Sequence, residues 1–194
     1  MTAAAGRTAA AARPVVYKLG GSLLDLPDLR GRLRAVLAGE PRALVVCGGG
    51  AAADAVRAWD AVHRLGEEAA HRAAMETLGA SARLAGALLD CGLVADRAAA
   101  DRAWANKRVC VLDVPRWAER EERRDPAAPP HDWHATSDTL AAWCARRWPA
   151  RGLVLLKSCG DRPGAVDPYF SRYAAGLAVR WVNLRAAKYS PGHF

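Results

Sequence analysis

Apolar runs that alternate with helical patterns constrain this chain more than any other feature. The runs, each bounded by turn residues, fall at 14–19, 43–47, 108–113, 152–157 and 179–184. Unbroken apolar runs of this length are typical of strands covered on both faces, as in parallel sheets. Helix-period spacing covers 27–38, 51–65, 67–90, 137–147 and 169–176. The alternation predicts an α/β fold, a three-layer αβα sandwich around a mostly parallel sheet. The charged, proline-rich stretch "EREERRDPAAPP" at 119–130 reads as an exposed loop. Residues 1–13, "MTAAAGRTAAAAR", loosely resemble a transit peptide, but their bias reads better as a disordered tail. Residues 14–194 then form one domain.

Composition narrows the function classes. No apolar run is long enough to span a membrane. The five cysteines (Cys47, Cys91, Cys110, Cys144, Cys159) form no CxxC pair and lie in apolar surroundings. They read as reduced, mostly buried thiols of a cytoplasmic protein. The net charge of +8 comes mainly from arginines spread along helices beside acids. Such spacing belongs to a solvated face, and no basic block is interleaved with aromatics, so nucleic acid is not the expected partner. Lysine occurs only at Lys18, Lys107, Lys157 and Lys188. Lys18 and Lys157 end apolar strands, where a compact point charge serves better than a guanidinium fork.

Ligands of a parallel α/β sheet bind beyond the carboxyl ends of its strands. The first run leads into Lys18-Leu19-Gly20-Gly21-Ser22. The second leads into "CGGGAAADAVR", where Gly48, Gly49 and Gly50 open a helix whose bare N–H groups suit an anion. The third ends at Asp113, before the connection to "HDWHATSDTLAAW". There Thr136 or Ser137 would cap a helix with Asp138 in its first turn. The fourth ends at Lys157-Ser158. All four ends thus carry groups that hold phosphate or position charge around it.

"KLGGSLL", "VVCGGG" and "TSDTLAA", in this order, resemble the amino acid kinase superfamily. It includes carbamate, acetylglutamate, aspartate, uridylate and isopentenyl phosphate kinases. The stretches 131–143 and 164–183 look closer to the archaeal-type 5-(aminomethyl)furan-3-yl methyl phosphate kinases of methanofuran biosynthesis and their bacterial relatives in one-carbon metabolism. The resemblance implies transfer of the ATP γ-phosphoryl to a phosphomonoester, giving a diphosphate. It implies ATP and Mg²⁺ as cofactors, the ion being held mainly by phosphates. Relatives are commonly homodimeric or larger. Phosphoryl transfer needs positioning and charge neutralisation more than covalent chemistry. Lys18 would bridge donor and acceptor phosphates, Asp138 would organise the lysine, and Lys157 would do a second lysine's work. Gly20, Gly21, Ser22 and Ser158 would line the transferring group. Gly48, Gly49, Gly50, Arg57, Trp133, Thr136 and Ser137 would hold the acceptor.

The sequence departs from the superfamily after the fourth strand. "LLKSCGDRPGAVDPYF" lacks the usual Thr-Asp pair and shortens the nucleotide half. Two other readings follow from this. One is a kinase-fold protein that binds a phosphorylated metabolite or a partner enzyme without turnover. The other is a different superfamily activity. His63 and His71 fall on long amphipathic helices and read as structural or exposed, with His71 a possible substrate contact by resemblance. His131 and Trp133 flank the acidic motif, and Trp133 could cover a flat ring. No histidines and acids share metal-ligand spacing along the chain, so no metal site built by the protein is expected.

Overall fold

The computed structural model describes residues 13–187. The tail at 1–12, Lys188 and the rest of 188–194 lie outside them. Arg13, grouped above with the tail, is tied down: it donates to the Pro149 and Ala150 carbonyls at 2.8 and 2.9 Å.

Among the described residues six strands, β1 (Val15–Leu19), β2 (Ala43–Cys47), β3 (Leu93–Val94), β4 (Cys110–Leu112), β5 (Gly152–Lys157) and β6 (Val179–Asn183), form one sheet in the order β3-β4-β2-β1-β5-β6. Every pairing is parallel. β1, β2 and β5 are buried along their whole length, as their unbroken apolar runs demand. Alternate residues feed two cores. Val16, Leu44 and Val46 pack towards Trp117, Leu140 and Trp143, whereas Val15, Tyr17 and Val45 pack towards Leu29, Leu33 and Val36. The helices α1 (Leu29–Leu37), α2 (Gly50–His63), α3 (Glu67–Leu89), α4 (Arg97–Ala105), α5 (Val114–Glu122), α6 (Ser137–Arg147) and α7 (Phe170–Ala174) complete the αβα sandwich. No helix among the described residues is long and apolar enough to cross a membrane. The five thiols are free, with Cys47, Cys110 and Cys144 buried.

Three elements depart from the sequence reading. β3 and α4 were not expected. α4 carries a local signal, since the Asp96 carboxylate accepts from the Ala99 amide at 2.7 Å as an N-cap. The loop expected at 119–130 begins as helix, because α5 runs to Glu122 and buries Val114, Trp117 and Ala118. Asp113 caps α5, with Pro115 in the first turn. β4, the third apolar run of the sequence, therefore ends on a helix cap, not on a group turned to a ligand.

The order of strands places the site. β1 lies between β2, the next strand in sequence, and β5, which returns much later. Connections leave β1 and its neighbours in opposite directions, which opens a crevice at their carboxyl ends.

Candidate functional site

Lys18 is the penultimate residue of β1, Lys157 ends β5, and Asp138 lies in the first turn of α6. The sheet brings the three together. Lys18 Nζ lies 2.7 Å from Asp138 Oδ1, and Lys157 Nζ lies 2.6 Å from Oδ2. All are buried, with side chains 5%, 10% and 6% exposed for Lys18, Lys157 and Asp138. Lys157 Nζ also donates to the Ala165 carbonyl at 2.8 Å and stands 5.6 Å over the Trp181 ring. Burial works against the Asp138 carboxylate, but the two ammonium groups outweigh it and hold its pKa below the usual range. Burial, together with the like charge of Lys18, holds the Lys157 pKa down against the pull of Asp138. One carboxylate shared by two ammonium groups leaves a net positive charge.

The glycine loops meet here, for a reason the sequence reading did not anticipate. The Gly20 amide donates to the Leu156 carbonyl at 2.8 Å and the Gly48 amide to the Leu19 carbonyl at 2.9 Å. Those two amides are spent on the scaffold and do not face a phosphate. A Cβ on Gly21 would come 2.1 Å from the Gly50 amide nitrogen, and one on Gly49 would come 2.3 Å from Thr77 Oγ1. Real Cβ contacts do not approach so closely, so these residues are glycine because two loops and α3 press together. Gly50 also holds a left-handed φ of 56°, natural to glycine. Ser22 Oγ and Ser158 Oγ lie 2.9 Å apart, which joins the ends of β1 and β5.

A cavity of about 280 Å³ lies beside this cluster. It is lined by Gly21, Ser22 and Gly48–Gly50, by the apolar side chains of Met75, Leu78 and Leu140, and by Trp133, Thr136 and Ser137. The first amides of a helix have no intrahelical partners, so the start of α2 and the Ser137 amide of α6 offer N–H groups at the cavity. Arg57, half-exposed at the rim, lies 4.7 Å over the Trp133 ring and 3.6 Å from Asp54. Trp133 Nε1 donates to Asp60 at 2.8 Å. Trp133 is thus held between an arginine and a carboxylate before any ligand arrives.

Thr136 occupies the N-cap position of α6 without a side-chain cap bond. Asp167 takes that task instead. It accepts from the Thr136 amide at 3.1 Å, the Thr136 hydroxyl at 2.8 Å, the Thr139 amide at 3.0 Å and the Thr139 hydroxyl at 2.5 Å. The sequence reading missed Asp167, and no local signal marks it, because its partners lie 28 to 31 residues away. Replacing Asp167 by alanine strands buried donors and removes the brace on the turn that carries Asp138. The expected cost is about 1–3 kcal/mol, read as a lower urea midpoint with unchanged slope. A variant as stable as the parent would show that the brace is dispensable.

His63 is exposed on α2. His71 lines the cavity and stacks on His131, with ring centroids 3.8 Å apart. Burial pushes the His71 pKa down to about 4. Burial likewise pushes the Cys47 thiol up to about 12, which removes it as a nucleophile near neutral pH.

The sequence matches no protein-family model and no curated protein. The fold does match solved structures. Uridylate kinase from Archaeoglobus fulgidus superposes over 75% of this chain and 63% of its own, with 18% identity and a TM-score of 0.54. UMP kinase from Ureaplasma parvum gives 77%, 68%, 13% and 0.55 in the same order. UMP kinase from Bacillus anthracis gives 82%, 70%, 15% and 0.53. This is an amino acid kinase-like fold. At such identities the likeness is one of fold. The chain spans less than two-thirds of the Archaeoglobus protein.

Proposed function

We propose that this chain is a phosphotransferase that moves the ATP γ-phosphoryl onto a phosphomonoester seated in the 280 Å³ cavity. The observation that carries the reading is the Lys18–Asp138–Lys157 cluster, a buried excess of positive charge beside two helix starts. An anion completes such a site. A phosphate acceptor is already ionised and needs no general base, which suits an Asp138 held between two lysines. Lys18 would neutralise charge on the transferring group, while the starts of α2 and α6 would hold the acceptor phosphate. Mg²⁺ would be held mainly by the ATP phosphates, since Asp138 is engaged by both lysines. The acceptor we favour is an aminomethylfuran methyl phosphate or a close analogue, giving a diphosphate for a methanofuran-type one-carbon cofactor. Its flat ring would lie against the apolar lining of Met75, Leu78 and Leu140 or against Trp133. A homo-oligomer and a cytoplasmic setting are part of this proposal.

The donor side favours a second reading. Ser158–Gly164 contains no helix or strand, so little regular structure stands ready for a nucleotide. A protein that binds a phosphorylated metabolite or a partner enzyme without turnover would need no such wall. Calorimetry with ATP, with and without Mg²⁺, separates the two. The kinase reading expects micromolar binding that weakens in Lys18→Ala. Absence of binding up to millimolar ATP would overturn it in favour of the binding protein.

A further inference from the structure

We propose that His71, Glu122 and His131 form a site for one divalent transition-metal ion of the zinc type, with Glu68 positioning His131. The expectation of no such site rested on spacing along the chain. The fold brings the three together from α3, from the end of α5 and from the segment after α5, with ligand atoms within 4.8 Å of one another. Two donors on a tetrahedral zinc ion, at bonds of about 2.1 Å, stand about 3.4 Å apart. His131 Nε2 and Glu122 Oε1 are already at 3.4 Å.

The remaining contacts point the same way. His131 Nδ1 lies 2.7 Å from Glu68 Oε2. A carboxylate only accepts, so Nδ1 carries a proton and Nε2 is the nitrogen turned to Glu122. A metal-bound histidine commonly donates its other N–H to a carboxylate in this way. A neutral Nε2 would aim its lone pair at the Glu122 carboxylate, which is favourable only with a cation between them. That cation is a proton or a metal ion. A proton leaves His71 idle, and no hydrogen bond to a His71 ring nitrogen is made among the described residues. A metal ion employs both rings and the carboxylate together. The rings now lie parallel, 5° apart in plane, so coordination requires His71 to turn until its lone pair converges on the ion. Two imidazoles and one carboxylate suit zinc, iron or cobalt, and do not suit magnesium or calcium.

His71 lines the 280 Å³ cavity as well as this cluster. The ion would therefore tie the segment carrying Asp132 and Trp133, which forms the cavity wall, to α3. This inference is independent of the phosphotransferase reading.

The test uses the full chain, freed of metal by a chelator and titrated with cobalt(II) and then zinc(II) chloride. One ion per chain is expected, with visible d–d bands of nitrogen and oxygen ligands and no thiolate charge-transfer band. Glu122→Gln and His71→Ala should each weaken binding at least tenfold, and Glu68→Gln about tenfold. His63→Ala, on the exposed face of α2, should leave it unchanged. If His71→Ala does not fold, Glu122→Gln and the parent spectrum decide the matter alone. Absence of binding at micromolar metal would assign the bridge to a proton and overturn the proposal. Thiolate bands, or binding indifferent to both ligand substitutions, would overturn it equally.

Discussion

Asp138→Ala is expected to destabilise the fold by about 3–5 kcal/mol, the usual result of removing one partner from a buried ion pair. The substitution leaves two ammonium groups facing one another with side chains only 5% and 10% exposed. Their shared counter-charge is gone, and water cannot replace it. Inorganic phosphate or ATP should recover part of the loss, because an added anion takes the carboxylate's place and binding to the native state stabilises it. Thermal or urea unfolding, with and without phosphate, measures both effects. The pH dependence has a definite sign. The native pKa of Asp138 lies below its ordinary value, so the unfolded chain binds its proton first as pH falls. The stabilisation is complete above the ordinary carboxylate range and disappears as pH drops through the lower native pKa. The gap between parent and variant should therefore close only in acid. A variant as stable as the parent at neutral pH would mean that Asp138 does not bind the lysines together.

On the phosphotransferase reading proposed above, Lys18→Ala should act on turnover more than on folding. It leaves Lys157 paired with Asp138 at 2.6 Å, so no buried charge is stranded. What it removes is the ammonium group at the end of β1 closest to the glycine loops. Loss of one preorganised group that stabilises transition-state charge costs about 10²–10³-fold in kcat. ADP release with ATP, Mg²⁺ and a panel of phosphomonoesters reads that loss. Lys18→Arg should not restore the rate, because a planar guanidinium does not fit a nearly closed site built around a point charge. Turnover that survives both substitutions would remove Lys18 from the reaction.

Much of the candidate site is legible in the sequence because its residues follow local rules. Lys18 and Lys157 stand where apolar runs stop. Gly48–Gly50 precede a helix pattern, and Asp138 falls in a helix start. The purpose of the glycines was not legible. Gly21 and Gly49 are set by backbone and side chains that meet them across the fold, and the Gly20 and Gly48 amides serve the scaffold. Arg57 and Trp133 were each read as ligand contacts, whereas the structure shows them first as partners of one another. Asp167 and the His71–Glu122–His131 cluster lay beyond any local pattern. In each case the partners come from separate elements.

The sequence alone determined the alternation of strand and helix, the burial of both sheet faces and the residues found at the strand ends. Side-chain period and turn chemistry act over a few residues, so a linear reading reaches them. Only the tertiary structure decided that β1 lies between β2 and β5, and therefore that two lysines more than a hundred residues apart converge on one carboxylate. Strand order depends on packing free energy summed over both cores, and no short stretch of the chain carries that sum.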